Sequence, residues 1–157
     1  MKLRGLILDP SNDAPVVILR EEEGSTFLPI WIGVFEAQAI ALAVEKVELP
    51  RPMTHDLLRL LLESLEGKLS RIEIHTLDGG TYFARLVVET SGLPVHVDAR
   101  PSDAIALALR VDAPIWTSKA VLAEALSTSK ATDATDEERI REWLAKARPE
   151  DLGKYQM

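Results

Sequence analysis

Leu69-Ser-Arg-Ile-Glu-Ile-His-Thr-Leu-Asp-Gly-Gly-Thr-Tyr-Phe-Ala-Arg-Leu-Val-Val-Glu-Thr90 is the stretch that decides the fold. Two β-rich runs, Leu69 to Leu77 and Thr81 to Thr90, flank Asp78-Gly79-Gly80, a combination that reads as an antiparallel hairpin. A three-residue loop with Gly in the left-handed position sets Glu73 opposite Arg85. It also gathers Ile72, Ile74, Tyr82, Ala84, Leu86 and Val88 on one face. A two-residue loop would instead bring Ile72 opposite Arg85 and mix the faces, so the three-residue loop is the expectation.

Upstream, Leu3 to Leu8, Val16 to Arg20 and Thr26 to Ile32 are short β-rich runs separated by Asp9-Pro-Ser-Asn-Asp-Ala-Pro15 and Glu21-Glu-Glu-Gly-Ser25, which predicts an antiparallel meander. Pro29 cannot donate to a ladder, so the third strand belongs at an edge. Downstream, Leu93 to Ala99 is a further strand that turns Val95, Val97 and Ala99 one way and His96, Asp98 and Arg100 the other. Pro114-Ile-Trp116 is a short extended piece.

Helices are expected over 34–46, 54–66, 102–111 and 118–126, with Thr54, Ser102 and Ser118 as N-caps and Gly67 ending the second. In that second helix Leu57, Leu58, Leu61, Leu62 and Leu65 form one apolar stripe. Ala39-Ile-Ala-Leu-Ala43 recurs as Ala104-Ile-Ala-Leu-Ala108, either a trace of duplication that pairs the two helices or a coincidence of common helix formers. Ser127 to Thr135 holds no large apolar residue and reads as a linker. Asp136 to Ala147 then reads as a terminal helix docking through Ile140, Trp143 and Leu144. The fold class is therefore α+β: a mostly antiparallel, strongly bent sheet of about six strands with four helices on it. Residues 1–127 make the domain, 128–135 the linker and 136–157 a docked helical extension.

The 157 residues suffice for a core without staples, and the absence of Cys removes disulfides, thiolate metal sites and thiol nucleophiles. Neither a signal peptide nor a membrane span is legible, so a cytoplasmic protein is expected. With 18 basic and 25 acidic residues the net charge is −7, which argues against a broad basic surface for nucleic acid. A local basic patch, or a divalent metal held between carboxylates and a phosphate, remains compatible with that balance.

The chemistry concentrates in Leu28-Pro-Ile-Trp-Ile-Gly33 with Glu36, in Arg51-Pro-Met-Thr-His-Asp56 and in Asp98-Ala-Arg-Pro-Ser-Asp103. His55 suits proton transfer near neutral pH, Asp56, Asp98 and Asp103 suit Mg²⁺ or Mn²⁺, and Arg51 and Arg100, each held extended by the following Pro, suit phosphate. Glu36 and His96 are secondary candidates, His96 sharing a strand face with Asp98 and Arg100. A structural reading stands beside each of these. Acids in a first helical turn offset the dipole and satisfy free N–H groups, and an Arg51–Asp103 or Arg100–Asp56 bridge would simply tie two helix mouths together. His55, one place after the expected cap, should point outward, and His75 lies on the solvated hairpin face. Trp31 and Trp116, each in Pro-Ile-Trp, read as core, with base stacking the alternative.

These three segments resemble the bifunctional nuclease family: Leu-Pro-Ile-Trp-Ile-Gly-x-x-Glu-Ala, Arg-Pro-x-Thr-His-Asp-Leu and Ala-Arg-Pro-Ser-Asp-Ala-Ile-Ala-Leu-Ala, spread over residues 3–127. The resemblance implies a homo-oligomeric nuclease, with a dimer as the first expectation, that cleaves RNA and DNA with little sequence preference and with help from a divalent metal. His55 would then serve as acid or base, Asp56, Asp98 and Asp103 as metal ligands, and Arg51 and Arg100 as phosphate clamps. The competing expectation is a non-catalytic module that uses the same charged cluster to bind a small ligand or a partner protein.

Overall fold

The computed structural model describes residues 1–9, 12–23, 26–90 and 92–128. The expected C-terminal helix, and the expected linker from residue 129 on, lie outside them. The described chain runs β1 (Lys2–Leu8), β2 (Pro15–Arg20), β3 (Phe27–Trp31), α1 (Val34–Val44), α2 (Thr54–Ser64), β4 (Lys68–Asp78), β5 (Thr81–Thr90), β6 (Leu93–Ala99), α3 (Pro101–Val111), β7 (Ile115–Thr117) and α4 (Lys119–Thr128). No described helix is long and apolar enough to cross a membrane.

The α+β class holds, but the single bent sheet does not. Among the described residues there are two sheets, one of three strands in the order β1-β2-β3 and one of four in the order β6-β5-β4-β7. The first is the expected antiparallel meander, with β3 and its Pro29 at an edge. After β3 the chain runs through two helices before it re-enters a strand, and among the described residues no ladder joins the sheets. The second is closed by β7, which adds parallel to β4 beside Ile72 and Ile74.

In the hairpin the central register is the expected one: Ile72 faces Leu86, Glu73 faces Arg85 and Ile74 faces Ala84. The turn itself is shorter, because Asp78 pairs with Thr81 and only Gly79 and Gly80 remain between them. Both glycines have positive φ, 55° and 79°, as a two-residue turn that follows the strand twist requires. A bulge at His75, between Ile74 and Thr76, absorbs the missing residue and restores the faces.

The main core fills the space between the two sheets and the helices, and Ile7, Val16 and Ile18 form a second, smaller cluster. Val17, Leu19, Leu28 and Ile30 contribute from the first sheet, Ile72, Ile74 and Ala84 from the second, and Ile40, Ile105 and Leu107 from α1 and α3. The two Ala-rich helices pack on each other. α1 and α2 end a little earlier than expected. Lys46 and Glu66 turn left-handed, at φ 51° and 55°, and the next residues, Val47 and Gly67, donate back to Leu42 O and Leu62 O.

α2 departs most from its sequence reading. Its apolar stripe was expected to face the core, but Leu57, Leu58, Leu61 and Leu65 are all exposed and Leu62 is partly covered. The buried residue of α2 is His55.

Candidate active site at three helix mouths

The N-caps of α1, α2 and α3 are Gly33, Met53 and Arg100, and none of them caps through its side chain. This replaces the expected caps Thr54 and Ser102, because Thr54 already lies inside its helix and Pro101 takes the first position of α3. Glu36, Asp56 and Asp103 occupy the same position in their three helices, three residues after the cap, and in α2 Asp56 takes over the cap function.

The three acids are used differently. Asp56 is spent on structure: Oδ2 accepts the Met53 N–H at 2.9 Å and Oδ1 accepts from Arg110 Nε at 2.6 Å. Burial works against its charged form. The Arg110 and Met53 hydrogen bonds outweigh that and hold its carboxyl below the usual range. Arg110, almost buried, also donates to Ala39 O at 3.0 Å and Ala106 O at 2.8 Å, and so pins α1, α2 and α3 together. The sequence reading missed Arg110. The available signal was its spacing of seven residues from Asp103, two turns along one face of α3.

Asp103 and Glu36 turn instead to Arg100. Arg100 Nε donates to Asp103 Oδ2 at 2.7 Å and one terminal nitrogen donates to Glu36 Oε1 at 2.7 Å. His55 Nε2 lies 3.1 Å from the other Asp103 oxygen. Burial raises the Asp103 carboxyl, but hydrogen bonds from Arg100 and His55 lower it further, so it is ionised at neutral pH. An ionised Asp103 accepts the Nε2 proton and leaves the lone pair of a neutral ring on Nδ1. His55 does not point outward as expected. It is 9% exposed, inserted between α2 and α3, and it lines an open cleft of about 270 Å³ with Phe35, Met53, Arg100, Asp103 and Arg110.

The Arg100–Glu36 pair is also the wall of a second cleft of about 350 Å³, rimmed by Trp31, Gly33, Gly80 and Tyr82. Trp31 is not core: it is 41% exposed, and its indole N–H donates to Asp9 at 2.8 Å. Trp116 is exposed as well, with the Arg71 guanidinium 4.8 Å over its ring.

Of the residues singled out in the sequence, His55, Asp103, Arg100 and Glu36 therefore form one connected group, and Asp56 sits one residue from it in a separate ion pair. Asp98 and His96 are placed elsewhere. They pair in register with Arg85 and Val87 on the sheet face opposite the one that Ala84, Leu86 and Val88 turn to the core. That face carries its own ion group, with Arg71 and Arg85 both on Glu73 and the Glu73 carboxyl held low by them against the opposing effect of burial. Arg51 lies in the exposed turn before α2 with no ion-pair partner among the described residues. Among the described residues no three His or carboxylate side chains stand close enough to share a metal ion. The Asp103 and Asp56 oxygens are already engaged, so the expected ligand set Asp56, Asp98 and Asp103 does not fit one divalent ion.

Fold and site together define an α+β domain that offers a histidine–carboxylate pair and an arginine in an open cleft at converging helix mouths. The chain belongs to the bifunctional nuclease domain family, whose profile matches residues 17–130. It is 41% identical to the uncharacterized protein Rv1829 of Mycobacterium tuberculosis over 97% of this chain and 96% of that one. It is 28% identical to bifunctional nuclease 2 of Oryza sativa subsp. japonica and 27% identical to bifunctional nuclease 1 of Arabidopsis thaliana. Those alignments take in 71% and 67% of this chain but only 36% and 34% of the plant proteins.

Proposed function

We propose that this protein is a cytoplasmic nuclease that hydrolyses phosphodiester bonds of RNA and DNA with low sequence preference, working at the His55–Asp103–Arg100 group. One observation carries the reading: α2 buries a histidine instead of its leucines, against an ionised carboxylate, at the edge of an open cleft. His55 Nδ1 takes the proton of the attacking water or hydroxyl as the new O–P bond forms, and returns it to the leaving oxygen as the P–O bond breaks. Asp103 holds the ring in place through its hydrogen bond, and Arg100 faces the charge that develops on the phosphate oxygens. Arg51, in the turn leading to Met53, adds a phosphate contact at the mouth. Family membership and the plant nucleases of the same family support the reaction class.

A second reading, a binding or regulatory module without turnover, is favoured by one feature: Arg100 is already held between two carboxylates, which weakens its pull on a phosphate. The deciding experiment follows cleavage of single-stranded RNA and DNA by the purified chain in Mg²⁺, Mn²⁺ or EDTA, beside an identically purified His55→Ala/Asp103→Asn variant. The nuclease reading expects a loss of about 10²–10⁴-fold in the variant, with the metal dependence read from the same series. Equal cleavage by both preparations would move the reaction away from this cleft. Absence of cleavage in every arm would leave the binding module.

A further inference from the structure

We propose that the second cleft, across Arg100 from His55, is a nucleotide-binding subsite: Trp31 stacks the base of the nucleotide next to the cleaved bond, and Ser102 holds its phosphate. The subsite rests on the nuclease reading and names where the substrate of that site lies. Three segments distant in sequence build the cleft: the end of β3 with Gly33, the β4–β5 turn from Gly80 to Tyr82, and the mouth of α3 from Arg100 to Ser102. Its volume of about 350 Å³ falls within the range of small-ligand sites. Arg100 and Glu36 line both this cleft and the His55 cleft, so a strand with one phosphate at Arg100 enters both.

Trp31 is built as a platform. Ile30, its neighbour, is 3% exposed in the core, and the alternation of the strand sends Trp31 to the other side. There it stays 41% exposed while its indole N–H is held by Asp9, itself 5% exposed, so the ring is fixed before any ligand arrives. A fixed aromatic ring loses little freedom on binding, and every base has a π face to lay on it. Trp116 is exposed too, but its ring already carries the Arg71 guanidinium.

Ser102 is an independent sign of a ligand. It is 6% exposed, lines the cleft, and has no hydrogen-bond partner for its hydroxyl among the described residues. Nor is that oxygen sealed away: among the described residues only Thr117 Oγ1 is both fully buried and unpartnered. The opening that Ser102 reaches is therefore the cleft that it lines. Ser102 also belongs to the first turn of α3, whose N–H groups lack intrahelical acceptors and whose cap, Arg100, makes no side-chain bond to them. A phosphate oxygen accepts from the Ser102 hydroxyl and suits that end of the helix dipole. Glu36 already pairs with Arg100 at 2.7 Å, so the cleft offers stacking and hydrogen bonds more than net charge, which fits a whole nucleotide better than a bare anion.

The test is equilibrium binding of a fluorescein-labelled single-stranded DNA hexanucleotide to the full-length chain in EDTA, by anisotropy, beside an abasic strand of the same length. Compared are the wild type, Trp31→Leu, Ser102→Ala and a Trp116→Leu control. Trp31→Leu is expected to weaken binding of the hexanucleotide roughly 5–100-fold, the range of one lost base stack, and to leave the affinity for the abasic strand unchanged. Ser102→Ala is expected to weaken both strands about 3–10-fold, as the loss of one hydrogen bond does. Its melting temperature should not fall, because the hydroxyl bonds nothing in the described protein. The control should bind like the wild type. A wild type that binds neither strand, wild-type affinity in either cleft variant, or an equal loss for both strands in Trp31→Leu would overturn the subsite. Cleavage judges the nuclease separately. A chain that cleaves while both cleft variants bind normally keeps the nuclease and loses the subsite, whereas the expected binding losses in a chain that never cleaves keep the subsite and remove the nuclease.

Discussion

α2 and α3 have the same length, eleven residues, and each carries an Asp at its third position. They are held in opposite ways. α3 buries seven residues, Pro101, Ser102 and the run Ala104–Ala108, whereas α2 buries one. α3 is a core element held by apolar packing, and α2 is tied to it at one end by two polar contacts, His55 to Asp103 and Asp56 to Arg110. The contrast explains how a histidine comes to be fixed beside an open cleft: the anchoring of α2 and the candidate chemistry share the same residues.

The sharpest way to break the contrast is to remove one apolar side chain from each helix. Ile105→Ala leaves a cavity in a fully buried position and should cost about 2–5 kcal/mol. Leu61→Ala should change stability by less than about 0.5 kcal/mol. Denaturant unfolding at low protein concentration measures both, and equal losses would mean that α2 packs as deeply as α3.

The polar anchors come next. Arg110→Ala removes the partner of Asp56 and two carbonyl contacts from an almost buried position, so a loss of about 2–3 kcal/mol is expected. Arg59→Ala deletes the exposed Arg59–Glu63 pair on α2 and should cost no more than about 0.5 kcal/mol. Thermal unfolding of the pair tests whether position or mere charge matters.

pH separates the anchors from the rest of the fold. Asp56 and Asp103 both have lowered carboxyl values when folded. Their contribution is therefore complete above the ordinary aspartate value and is lost as pH falls through it toward the folded value. The wild type should lose stability more steeply below about pH 4 than Asp56→Asn or Asp103→Asn, each of which starts lower at neutral pH. Urea unfolding from pH 7 downward reads this, and parallel curves for all three proteins would remove the carboxylates from the account.

Much of the fold was legible because it rests on local signals. Pro29 forecast an edge strand, alternation forecast the faces of the hairpin, and Ser118 caps α4 as read, its Oγ accepting the Val121 N–H at 3.2 Å. The number of sheets was not legible, since it depends on which strands fail to meet. In the candidate site, the motif spacing located His55, Arg100, Asp103 and Glu36, but period-two counting carried Asp98 and His96 to a face that the site does not use. Arg100 escapes that counting because it has left the strand and become a helix cap. The α2 stripe misled for a general reason: periodicity reveals an apolar face, not whether the chain itself covers it.

The smallest effect to test is at Gly33. Its backbone is ordinary extended, φ −76° and ψ 164°, so conformation does not demand glycine there; space does, because an added Cβ would overlap the Glu36 carboxylate. Gly33→Ala should cost under about 1 kcal/mol, the difference between these residues at an N-cap, because the obstructed group is the end of a flexible side chain. It should nonetheless swing Glu36 away from Arg100. With one carboxylate competitor gone, Arg100 is freer to meet a phosphate, and affinity for a short single-stranded oligonucleotide should rise roughly 2–5-fold, the scale of one exposed ion pair. Glu36→Gln should reproduce the gain without touching the helix cap. A gain in both variants would identify Glu36 as a brake on Arg100, whereas a loss in both would make it the residue that holds Arg100 in place for the substrate.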